Sequence, residues 1–129
     1  MEEKKKLLIK LIIELGKFFM ECDGDIDEKE IKFINDYTDQ MVAKGEATLA
    51  EMKAIEDSIE KELTIDYLIE QTKELLGYAT EEEKGTLREA LSSYIQKIIM
   101  ADGILHPNEV KFYKAWKDRT KRINLIFLN

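Results

Sequence analysis

Apolar residues recur along this chain at helical spacing and nowhere alternate with period two over a strand's length, so the pattern predicts an all-α fold. Leu8, Leu11, Ile12, Leu15, Phe18, Phe19 and Cys22 fall on one face of a first helix. Leu7, Ile9 and Ile13 widen that face enough to place the helix deep in the fold. It ends at Gly24. A second helix follows Asp27, turns Ile31, Ile34, Tyr37 and Met41 inward, and stops near Gly45. Thr48-x-x-Glu51 spells a capping box and opens a third helix carrying Leu49, Met52, Ile55 and Ile59. Thr64 or Asp66 caps a fourth, with Leu68, Ile69, Thr72 and Leu76 on one side and Gly77 closing it. Thr80-x-x-Glu83 caps a fifth that runs through Leu87, Leu91, Tyr94, Ile95 and Ile98 to Gly103. Gly85 weakens its first turns by about 1 kcal/mol relative to alanine. The sixth begins at Pro107 and carries Val110, Phe112, Tyr113 and Trp116. The last stretch, from Ile123 to Asn129, is open among a short helix, an extended segment and an apolar tail that needs a partner.

The pattern also repeats. Asp23-Gly24 recurs as Asp102-Gly103, Ile26 as Leu105, Glu30 as Glu109, Ile31 as Val110, Lys32 as Lys111 and Phe33 as Phe112, always 79 residues apart. Duplicated helical units generally stack to bury a shared core. The expected architecture is therefore one domain over residues 1–129, a compact bundle of about six or seven helices with pseudo-twofold symmetry. Repeat one spans about 1–62 and repeat two about 80–129.

These residues resemble the TerB tellurite-resistance proteins and the wider TerB-like domain family. The likeness rests on Asp23, Gly24, Ile26 and Glu30 in the first copy and on Ala101, Asp102, Gly103, Leu105 and Glu109 in the second. It implies a compact helical domain with no established catalytic reaction. It also implies acidic residues proposed to bind divalent cations, and membership of stress-resistance assemblies at the inner face of the membrane.

Composition narrows the function classes. A net charge of −7 argues against generic nucleic-acid binding, which draws its affinity from neutralising phosphates. Cys22 is the single cysteine, so no intrachain disulfide forms and a reducing, cytoplasmic setting is expected, with Cys22 read as a packed thiol. The segment MEEKKKLLIKLIIEL imitates a secretion signal, but Lys10 and Glu14 interrupt the apolar run, which is too short to span a bilayer. A glycine-rich phosphate loop, a nucleophile with a recognisable base and the HExxH and CxxC spacings are all missing, so the chain does not read as an enzyme.

The duplicated acids admit two readings. Helix grammar explains much of the motif: Gly24 and Gly103 suit the residue after a helix, Ile26 and Leu105 plug the space between two helices, and Asp27 with Glu30 forms a capping box. His106, Pro107 and Glu109 repeat that box more weakly. Asp23 and Asp102 sit instead at helix C-termini, where the macrodipole disfavours an anion by a few tenths to about 1 kcal/mol. Each needs a backbone donor in the following turn, a cationic partner or a metal. Asp23, Asp25 and Asp27 match the first, third and fifth places of an EF-hand loop, but Glu28 and Ile34 occupy the places of its glycine and bidentate glutamate, so that match fails. A shared cation site must then combine Asp23, Glu30, Asp102 and Glu109. Oxygen-only ligands favour Mg²⁺ or Ca²⁺ over Zn²⁺, with His106 a lesser candidate.

A separate feature lies in residues 111–122, where six basic residues face Asp118 alone, a net +5 against −12 for the rest of the chain. Lys111, Lys114, Lys117 and Lys121 form one stripe at helical spacing. Beside the apolar residues Ile123, Leu125, Ile126, Phe127 and Leu128 it reads either as a solvated face or as a surface for an acidic protein partner or an anionic membrane. The metal-independent alternative is thus an interaction scaffold built on this basic helix, with Trp116 in the core. No small-molecule substrate is indicated.

Overall fold

The computed structural model describes residues 2–21, 28–59, 62–100 and 106–128, with the side chains of residues 29–31, 33, 34 and 121–128 outside the description. Six α-helices and no strand are found among the described residues: α1 (Glu3–Glu21), α2 (Glu28–Ala43), α3 (Leu49–Asp57), α4 (Ile65–Gly77), α5 (Glu81–Ile99) and α6 (Pro107–Leu128). The expected all-α class is correct.

α1 is the hub, as its wide apolar face requires. It packs against α2, α3, α4 and α5. Leu11, Leu15, Phe18 and Phe19 join Leu68, Ile69 and Leu75 of α4, Leu91, Ile95 and Ile98 of α5 and Trp116 of α6 in the main core. Ile9 and Ile13, on another side of the same helix, bury with Ala47, Met52 and Ile55 of the α3 region in a second cluster. Burying each large aliphatic side chain stabilises the fold by roughly 1.5–3 kcal/mol before chain entropy is counted. Aromatic edges join the outer helices to this core: Phe18 meets Phe112 edge-on at 5.1 Å, and Tyr37 of α2 lies 5.7 Å from Tyr94 of α5.

The helix starts follow local chemistry. The Thr48 and Thr80 hydroxyls accept from the backbone N–H of Glu51 and Glu83, and each glutamate accepts from the threonine N–H in return, so both capping boxes form as read. Of the two candidate caps for α4 it is Thr64, whose hydroxyl accepts from Tyr67 N–H at 3.1 Å. The ends depart from expectation in two places. Gly77 does not take a left-handed conformation, because Tyr78 N–H and Ala79 N–H close tight turns onto Leu75 and Leu76 carbonyls. α5 stops at Ile99, with Met100 as its cap, four residues before Gly103. Leu49, expected on the apolar side of α3, is 58% exposed because it occupies the first helical position, ahead of the turn that buries Met52. The open C-terminal stretch is helical, since α6 continues to Leu128.

Asp23, Gly24, Ile26 and Asp27 of the first motif, Asp102, Gly103 and Leu105 of the second, and Cys22 all lie outside the described residues.

Candidate functional site

Two of the four expected ligands have described backbone positions. Glu30 is the third residue of α2, and Glu109 the third of α6, so the sequence repeat places both in the first turn of a helix. Only the Glu109 side chain is described, and it is 1% exposed. Its Oε1 lies 3.7 Å from Nε2 of His106, which precedes the helix.

That burial distinguishes Glu109 from Glu51 and Glu83, which hold the same position in α3 and α5. Glu51 and Glu83 accept from their threonine N–H groups at 2.9 and 3.1 Å, and both do so at the surface. Glu83 is further held by Lys4, whose ammonium lies 2.7 Å away, and this contact followed by the Thr80 N–H brings its carboxyl down to about 2. Glu109 has been drawn into the protein instead. A carboxylate removed from water needs charge or hydrogen-bond compensation worth several kcal/mol, far beyond what a surface cap supplies. His106, when protonated, supplies part of that compensation.

The chemistry of such a group is ligation or positioning: a hard, fixed oxygen donor at the mouth of a helix. Among the described residues, no group of three or more His, Cys, Asp or Glu side chains converges as a metal site. Asp23, Asp102 and the side chain of Glu30 lie outside those residues, and Glu109 is the one expected ligand whose side chain is described.

A second buried carboxylate was not anticipated. Glu14 of α1 is fully buried and accepts from the Tyr67 hydroxyl of α4 at 2.9 Å. Its position three residues after Leu11 and four before Phe18 already puts it on the apolar face of α1. That spacing was the available signal. Its partner, 53 residues away, was not readable.

The basic stripe is solvent-facing where it is described. Lys111, Lys114 and Lys117 are exposed and make no ion pair among the described residues, whereas Arg119 turns back to pair with Asp66 of α4. Trp116 is fully buried, in the core as expected. No helix in the described residues is long and apolar enough to cross a membrane.

No family model, curated protein or solved structure matches the chain.

Proposed function

We propose that this chain is a TerB-like, non-catalytic binding module of the cytoplasm whose two Asp-Gly-x5-Glu segments hold a divalent cation, in a stress-response or membrane-associated assembly. The observation that carries the reading is the burial of Glu109 in the first turn of α6, beside the second Asp-Gly segment in sequence. A capping glutamate has no need of such burial, as Glu51 and Glu83 demonstrate, whereas a bound cation is one way to compensate a carboxylate taken out of water. Asp23, Glu30, Asp102 and Glu109 would supply the ligands, and their chemistry suits Mg²⁺ or Ca²⁺.

The pseudo-twofold repeat belongs to this reading and has support of its own. α1 and α5 are each 19 residues long. α2 and α6 begin at Glu28 and Pro107, separated by the same 79 positions as Asp23 and Asp102. Lys4 and Glu83, equivalent residues under that offset, touch each other, as residues beside a twofold axis do.

Calorimetric titration of Ca²⁺ and Mg²⁺ into the wild type, into Asp23→Asn with Asp102→Asn, and into Glu109→Gln tests the site. Saturable heat in the wild type and its loss in the variants is the expected result; no heat at millimolar metal sinks the proposal.

A metal-independent scaffold is the second reading, favoured by the exposed ammonium groups of Lys111, Lys114 and Lys117, which make no ion pair among the described residues. It expects an acidic protein partner whose capture survives chelator and is lost on reversing Lys114 and Lys117 to glutamate. Capture that survives the reversal counts against the basic face.

A further inference from the structure

A polar cleft of about 270 Å³ opens between α5 and α6. Arg88, Ser92 and Gln96 line it from α5, and Trp116 and Lys117 from α6, with Glu89 also on its wall. What sets it apart is an excess of donors.

Arg88 Nε is buried and has no hydrogen-bond partner among the described residues. A guanidinium cannot discard its charge, so such a donor destabilises the fold unless something accepts from it. Ser92 adds a second donor through a relay. Gln96 Nε2 donates to the Tyr113 hydroxyl oxygen at 2.7 Å, and the Tyr113 and Ser92 hydroxyls are 2.5 Å apart. Either hydroxyl can donate in this pair, and when Tyr113 donates to Ser92 Oγ the Ser92 hydroxyl proton is left for a ligand. Lys117 brings an exposed ammonium that makes no ion pair among the described residues.

Two cations and a hydroxyl donor around one small cleft call for an oxyanion. Its volume lies just under the roughly 300–1,000 Å³ of drug-sized ligand pockets, which suits a compact anion rather than a nucleotide. Arginine's planar fork recognises phosphate oxygens in pairs. We propose that the α5–α6 cleft binds a small phosphate-bearing anion, Arg88 and Lys117 neutralising its charge and Ser92 donating to one of its oxygens. Glu89, exposed and of the wrong sign, weakens this binding and disfavours ligands of higher negative charge.

Trp116 is the protein's only tryptophan and lies on the cleft wall, so its fluorescence reports occupancy directly. The test titrates inorganic phosphate, O-phosphoserine and, at matched ionic strength, chloride into the full chain, with calorimetry in parallel. A saturable response to phosphate or phosphoserine and none to chloride is expected. Arg88→Gln should weaken it by about tenfold or more, Arg88→Lys by less, and Glu89→Gln should tighten it. Stronger binding of phosphoserine identifies a phosphate monoester as the ligand class, and stronger binding of phosphate identifies the free ion. An absent or chloride-like response overturns the proposal, as does an Arg88→Gln protein that melts normally and binds like the wild type. The response should persist in chelator, so failure of the cation site leaves this result distinguishable.

Discussion

The indole N–H of Trp116 on α6 donates to the Thr72 hydroxyl on α4 at 2.9 Å, and that hydroxyl donates onward to the Leu68 carbonyl at 2.8 Å. Both side chains are fully buried, so water cannot substitute for either bond. The Thr120 hydroxyl, also buried, donates to the Trp116 carbonyl at 2.8 Å. A polar thread thus fixes α6 on α4 inside an otherwise apolar core, where an unmatched group would cost more than the bond itself contributes.

Thr72→Val keeps the volume and removes the acceptor, leaving the indole N–H buried and unpaired. A loss of about 1–3 kcal/mol in unfolding free energy is expected, read from urea denaturation by circular dichroism. Trp116→Phe also destabilises, through lost packing. Because Thr72→Val removes a bond that Trp116→Phe has already removed, the double variant should fall short of the sum by roughly 0.5–3 kcal/mol. Strict additivity would show that the hydrogen bond does not couple the two helices.

Two glycines should respond to the same substitution with opposite signs. Gly45 ends the α2 turn at φ 73°, a left-handed conformation in which a Cβ is strained even though no atom stands within 4 Å of it. Gly85 lies inside α5 with equally open space and without a positive φ. Gly45→Ala is expected to destabilise by about 1 kcal/mol, and Gly85→Ala to stabilise by roughly 0.5–1 kcal/mol. Thermal melts should separate the two variants by several degrees in opposite directions from the wild type. A Gly85→Ala protein that melts lower would mean that the α5 N-terminus is limited by something other than glycine's entropy.

What the sequence made legible was local. Thr48, Thr64 and Thr80 each bond a backbone N–H three residues on, so the information that starts α3, α4 and α5 lies within one turn of chain. The wide apolar face of α1 likewise announced a central helix. Burial of a charged group is a different kind of fact, since it depends on elements that meet only after folding. Glu14 reads as an interruption until Tyr67 of α4 is seen to donate to it. Glu109 reads as a surface cap by analogy with Glu51 and Glu83, and its burial is set by what α6 packs against rather than by the residues at its start. The donor-rich cleft was invisible for the same reason, because Arg88 and Lys117 are brought together by two helices.

Tyr94 gives the bundle a predictable alkaline limit. Burial first, and then the neighbouring Tyr37, hold the Tyr94 phenol well above the ordinary tyrosine value of 10.0, and burial raises Tyr37 as well. The folded state therefore binds these protons more tightly than the unfolded chain does. Their contribution to stability is complete below about pH 10, and is lost progressively as the pH rises from there toward the folded-state values. Unfolding free energy should fall with pH above that point. Tyr94→Phe, which keeps the ring against Tyr37 while removing the ionisable group, should flatten the fall. Denaturation curves collected from neutral pH to beyond 10, with tyrosinate absorbance followed in parallel, test this. Wild type and variant losing stability in parallel would show that other groups set the alkaline limit.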